Sequence, residues 1–149
     1  MEDDPDRALA AKATALADGV DAALAPWIVG LVVARAGEGA RARAEAIAEV
    51  VAADIGPRVR ALLATDIDAQ ATTPLALLRE AVLPVGELLA ELGVAPPVRD
   101  EFAQRAFPGD TYGLAPASFE EVADALRGPG IEWGAAKAFV HLRRRRSGS

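Results

Sequence analysis

Residues 73–93 read TPLALLREAVLPVGELLAELG. Leu75, Leu78, Val82, Val85, Leu89 and Leu92 recur in alternating steps of three and four. That spacing lays one apolar stripe along a helix and is the periodicity of a bundle seam. Thr73 followed by Pro74 is a start signal, because proline at the first helical position gives up an N–H that has no partner there anyway. Gly93 fits a helix C-cap. Pro84 falls inside the stripe, so the predicted helix is kinked or interrupted there.

Two more long helices precede it. The first is predicted to begin at Asp4 as cap, with Pro5 at the first helical position and Asp6 in the first turn. Its stripe is Leu9, Ala13, Leu16, Val20, Leu24, then Trp27, Ile28, Leu31 and Val32, with Pro26 as a break or kink. It stops at Gly37-Glu38-Gly39. The second runs from about Ala40 to Thr65-Asp66 on Ala44, Ile47, Val51, Ile55, Val59 and Leu62. Its steps of three and four persist across Gly56-Pro57, which favours one kinked helix over two unrelated ones.

The chain changes character at Ala95-Pro96-Pro97. Residues 98–106 are predicted to form a short helix, and 107–113 a loop by their Pro, Gly and Asp content. Ser118-Phe119-Glu120-Glu121 has the capping-box form and should open a helix to about Arg127. Gly128-Pro129-Gly130 reads as a hard turn. Residues 131–146 form the last helix, and 147–149 fray. No alternating pattern is long enough to build a sheet. The expectation is one all-α domain over residues 1–146: a bundle of three long kinked helices (4–93) covered by two or three shorter C-terminal helices (98–146).

Composition bounds the chemistry. A chain of 149 residues that is 52% hydrophobic can bury a single core and is too apolar for disorder. It has no cysteine and one histidine, which removes disulfides, thiolate catalysis and zinc–sulfur or iron–sulfur centres. Alanine is the commonest residue, arginine outnumbers lysine and asparagine is absent, the bias of a GC-rich genome. A net charge of −6 argues against nucleic acid as a whole-surface partner. The acidic start Met1-Glu2-Asp3-Asp4 lacks the basic region of a secretory signal. The longest apolar stretch, 22–34, is interrupted by Pro26 and falls short of the roughly 20 residues that span a bilayer. These features lead us to expect a cytoplasmic protein.

No motif carries a reaction. There is no helical Glu-x-x-His pair for a di-iron bundle, no calcium loop, and no phosphate-binding glycine loop at Gly128-Pro129-Gly130. Catalytic, cofactor and metal residues are therefore not assigned. The candidate binding residues all lie late. Every aromatic residue except Trp27 lies after Pro97: Phe102, Phe107, Tyr112, Phe119, Trp133 and Phe139 make either a second, bulkier core or a recognition groove. Trp133, Lys137 and His141, at steps of four, follow one face of the last helix, with the lysine in reach of the indole; that face is either half-buried, with one hydrogen-bonded histidine, or an anion-binding or acid–base site. Arg99, Arg105, Asp110 and Tyr112 crowd the connection between the two halves, where they either brace loops or clamp an anion. Arg143, Arg144, Arg145 and Arg146 complement the helix C-terminus. Alternatively, they dock an acidic partner, nucleic acid or anionic lipid.

The residues from Arg99-Asp100-Glu101-Phe102 through Arg105-Ala106-Phe107-Pro108, Asp110, Tyr112, Pro116-Ala117-Ser118-Phe119 and Trp133-Gly134-Ala135-Ala136-Lys137 to His141 and the arginine end resemble a family of small uncharacterised actinobacterial proteins. The resemblance covers about residues 73–146 and implies a bacterial source without an activity or cofactor. The functional expectation is a non-enzymatic interaction or regulatory protein with a protein partner, a homodimer being one form. Two alternatives stand beside it. One is a small-molecule binder or enzyme for acidic metabolites, with its pocket between bundle and aromatic layer and Arg99, Arg105, Lys137 and His141 as polar groups. The other is peripheral nucleic-acid or anionic-membrane binding through the arginine end.

Overall fold

A computed structural model of the chain describes residues 4–65 and 73–147, with the side chains of residues 65, 73 and 144–147 excepted. The expected acidic run at residues 2 and 3, the helix end at Asp66 and the fraying of 148–149 lie outside the described residues. Every regular element among them is helical: α1 Pro5–Ala36, α2 Arg41–Thr65, α3 Thr73–Glu91, α4 Glu101–Ala106, α5 Phe119–Val122 and α6 Arg127–Ser147. Short 3-10 turns at Glu38–Ala40 and Asp124–Leu126 lead into α2 and α6.

Helix α1 starts as its sequence requires. The Asp4 carboxylate accepts the Asp6 backbone N–H at 3.0 Å, meeting one of the donors orphaned at a helix start. It ends at Gly37, whose N–H donates to Val33 O at 2.9 Å. Between these ends it runs unbroken through Pro26, as α2 does through Pro57 and α3 through Pro84. An interior proline costs a helix about 3 kcal/mol, and tertiary packing overrides that here. The rings of Pro26 and Pro57 are exposed, on the solvent side, where a helix wrapped around a core is already stretched. Helix α3 closes on Gly93 at φ 76°. A left-handed residue there lets Val94 N–H reach Leu89 O at 3.0 Å and Gly93 N–H reach Ala90 O at 3.1 Å, the paired closure of a Schellman turn.

The stripes meet in one core. Leu16, Val20, Leu24, Ile28 and Val32 of α1 pack with Val51, Ile55 and Val59 of α2 and with Leu78, Val82, Val85 and Leu89 of α3. Leu63 rather than Leu62 is the buried end of the α2 stripe, because it lies four residues beyond Val59 and a step of four follows the turn more closely at that point. Where α1 and α2 cross, Gly56 is buried, and a Cβ there would stand 2.8 Å from Asp21 Oδ1. Arg60 reaches across the same crossing to Asp18 at 2.7 Å and Asp21 at 2.5 Å. The α2–α3 side carries Arg58–Glu80 and Arg43–Glu91, both at 2.6 Å. These exposed pairs set register more than they add stability. At the start of α2 the Arg41 guanidinium donates to both Glu38 oxygens, at 2.7 and 2.9 Å. It holds that carboxyl below its ordinary range, chiefly by the hydrogen bonds.

Gly30, in the middle of α1, is exposed, and a Cβ there would meet no atom within 4 Å. Glycine in a helix interior costs about 1 kcal/mol against alanine. Gly30→Ala is therefore expected to stabilise the protein by roughly 0.5–1 kcal/mol, seen as a rise in Tm by circular dichroism.

Three expectations about the covering helices need correction. Helix α4 begins at Glu101 rather than near Val98, because Asp100 is its cap: the Asp100 carboxylate accepts Ala103 N–H at 2.7 Å. Gly128-Pro129-Gly130 is no turn but the opening of α6, where a proline lacks no N–H that the helix needs. A Cβ at Gly130 would stand 3.0 Å from Phe119 Cδ2, so this glycine admits α5 to the flank of α6. The helix expected from Ser118 stops at Val122, and Ala123 is extended. Ser118 caps without its side chain. The capping-box partner Glu121 instead accepts Ala117 N–H at 2.7 Å.

Helix α1 packs on α2, α3 and α6. By length and composition alone it is enough to cross a membrane or serve as a signal sequence: 32 residues, with an 18-residue window of mean hydropathy 1.6. The uncharged stretch 22–34 is shorter than a span, but the helix runs on through Pro26 and beyond both ends of that stretch. Its large apolar residues nevertheless form the middle of the core just described.

Candidate functional site

Three of the candidate polar residues hold up the loop that follows α4. Arg99 Nη1 donates to Phe107 O at 2.8 Å and to Ala103 O at 3.4 Å. The buried Asp110 carboxylate accepts Leu114 N–H on one oxygen and Ala115 N–H on the other, each at 2.8 Å. Tyr112, also buried, donates its hydroxyl to Val94 O at 2.6 Å. A loop carries backbone donors and acceptors that no helix satisfies, and these side chains answer them. Arg79 of α3, not among the residues singled out from sequence, completes the bracing. Its guanidinium lies 4.8 Å from the Phe107 ring centroid, and its Nε donates to Pro116 O at 3.4 Å. A charged residue just off the α3 stripe, opposite a Phe-Pro-Gly loop, was the available signal. Arg105 joins none of this. It is exposed on α4 and pairs with Glu101 at 3.5 Å.

On α6, Trp133 and Lys137 are buried, and the Lys137 ammonium lies 4.9 Å over the indole, as the spacing predicted. Trp133 also meets Phe119 edge-on, ring centroids 6.4 Å apart at 89°. His141 does not share their face. Each step of four overshoots a 3.6-residue turn by about 40°, so two steps carry His141 roughly 80° round into solvent, and Val140 takes the buried position. Arg143 is exposed at the end of this helix. Arg144, Arg145 and Arg146 follow it on the same helix.

Two grooves flank these elements. One, of about 310 Å³, lies between α3, α5 and α6 against Leu75, Phe119, Ile131 and Trp133. That is the position expected for a ligand pocket. Its walls are mostly apolar, with Ser118, Glu120 and Arg127 among them, and Arg99, Arg105, Lys137 and His141 do not line it. The other, of about 320 Å³, lies between α3 and the braced loop. Its charged groups are engaged, Arg79 and Asp110 as above and Glu80 with Arg58. Among the described residues no three His, Asp or Glu side chains gather as metal ligands would.

The aromatic layer is only partly a core. Trp133 and Tyr112 are buried, and Phe107 and Phe119 are half-buried. Phe102 is 79% exposed and Phe139 59% exposed. Val98, fully in solvent, precedes α4, and Ile131 and Leu142 are exposed on α6 beside Phe139. Among the described residues, the other large apolar side chains left in water are Val50 and Leu83, outside this late part of the chain. No protein-family model, curated protein or solved structure matches the chain.

Proposed function

We propose that this chain is a non-enzymatic interaction protein, regulatory in kind, whose last third faces its partner. The observation that carries this reading is the placement of Val98, Phe102, Ile131, Phe139 and Leu142 in solvent on α4, its approach and α6. Exposed aromatic and branched apolar side chains on fixed elements are the usual anchors of protein recognition. The engagement of Arg99, Asp110 and Tyr112 in bracing supports the same reading, because it spends the polar groups a pocket would need.

The test is native mass spectrometry of the protein purified gently from its own cells. The wild type is expected to retain a further protein chain. Either Phe102→Ser or Leu142→Asp, both at exposed positions, is expected to release that chain with Tm unchanged. A bare chain carrying only a small retained mass overturns the reading in favour of ligand binding.

That second reading has the groove at Leu75, Phe119 and Trp133 in its favour. Its apolar walls suit an apolar ligand better than an acidic metabolite. Nucleic-acid or anionic-membrane binding through the arginine end is weaker, because the chain as a whole is acidic. A cytoplasmic location belongs to this proposal. It is supported by the burial of the α1 stripe and by the ion pairs that Lys12, Asp18 and Asp21 make from that helix. A bacterial, actinobacterial source belongs to it through the resemblance of residues 73–146.

A further inference from the structure

We infer that α6 pairs antiparallel with α6 of a second copy of this chain. The inference rests on the interaction reading above and gives it a partner. Helix α6 has two apolar faces. Trp133, Lys137 and Val140 are buried on one side, where α6 packs on α1. Directly opposite, Ile131, Ala135, Ala138 and Leu142 are exposed, with Phe139 along one edge. A helix that packs once needs only one apolar stripe, so the second stripe is left for something outside the fold.

The second stripe reads alike in both directions. Its steps are four, three, four, with a branched residue at each end and alanines between. A two-fold axis midway between Ala135 and Ala138 sets Ile131 against Leu142 of the second copy, and Ala135 against Ala138 of the second copy. Large side chains then close the ends, while small ones let the helices approach at the centre. An isologous contact requires this self-complementarity.

Charge selects the direction. Glu132 and Arg143 are exposed on the same edge of the stripe, the edge that carries Phe139. Under the two-fold, like edges meet, and the same register brings Arg143 of one copy opposite Glu132 of the other. Glu132 already pairs with Lys12 at 3.3 Å, and its carboxylate has acceptor capacity for a second cation. A parallel pairing would instead set like ends together and leave Arg143 roughly 16 Å along the axis from Glu132 of the second copy, at 1.5 Å per residue, so that the pair is lost. A membrane surface of anionic lipid would repel Glu132 and its acidic neighbours. One helix stripe is smaller than the roughly 800 Å² per partner of a standard interface, so the dimer is expected to be weak and concentration-dependent.

The chain has no cysteine, so single cysteines report the register without background. Ile131→Cys carrying a mass tag is mixed with untagged Leu142→Cys and oxidised mildly. A mixed disulfide between the two is expected, and neither variant alone should link to itself. Each would lie roughly 16 Å along the axis from its own copy, at 1.5 Å per residue, beyond the reach of a disulfide at roughly 4.4–6.8 Å between Cα atoms. Sedimentation of the wild type should show a dimer that grows with concentration and weakens with salt. Leu142→Asp should weaken it about thirtyfold or more, with helicity and Tm unchanged. Self-linked products of Ile131→Cys or of Leu142→Cys without the mixed one overturn the antiparallel pairing. A monomer at every concentration overturns the dimer, including a monomer that floats with vesicles of anionic phospholipid. If material from native cells still carries another chain in that case, the interaction reading stands and only its partner changes.

Discussion

Leu78→Ala is expected to lower stability by about 2–5 kcal/mol, seen as a fall in Tm of roughly 2–4 °C for each kcal/mol in a chain of this size. Leu78 is fully buried in the second turn of α3. Truncation removes apolar area from the core and leaves a cavity between helices held by their own backbone hydrogen bonds, so collapse around it is partial. The cost should fall on the whole bundle, with circular dichroism and tryptophan fluorescence moving together. An unchanged Tm would mean that α3 is not the seam its spacing indicates.

Trp133→Ala should cost about 3–5 kcal/mol, and its effect should be less uniform. The indole is 2% exposed. It packs against Phe119 and lies beneath the Lys137 ammonium. Its loss deprives a buried cation of an aromatic face as well as leaving a void. The damage falls at the junction of α5 and α6 with the bundle. In this variant Trp27 is the only tryptophan, and it reports α1 alone. Loss of helix by circular dichroism at a temperature where Trp27 fluorescence is still native would place the first opening in the last third. Trp133→Phe should recover much of the loss. A Trp133→Ala variant as stable as the wild type would contradict the packing described.

The long helices were legible because each carries its core residues at steps of three and four. A stripe such as Leu75, Leu78, Val82, Val85 and Leu89 can be buried in only one way. The prolines left open whether those helices are kinked or broken, because local propensity speaks against an interior proline and only packing tells when it is overruled. The same limit produced the false turn at Gly128-Pro129-Gly130. Proline there is harmless once the helix is known to begin at Arg127. In the candidate site, composition placed the aromatics correctly in the late segment but could not say which face water. Phe102 is exposed because α4 buries none of its residues, a tertiary fact. Phe139 was more readable, since it runs with Ile131 and Leu142 on the side of α6 opposite Trp133. Arg99, Asp110 and Tyr112, singled out with Arg105 as loop braces or an anion clamp, have backbone atoms as partners, which a sequence does not display.

The position of α1 bears on how the chain is made. Among the described helices it is the first to be synthesised, and α6, which covers part of it, is the last. Contacts between elements so far apart in sequence form slowly, because a long stretch of chain must be ordered before they stabilise anything. Until then α1 leaves the ribosome with an uncovered face and enough hydropathy to resemble a membrane segment. The interval before α6 docks is when targeting machinery or a chaperone competes for the nascent chain. Codon choice upstream of α6 is therefore a lever on yield that leaves the folded protein unchanged.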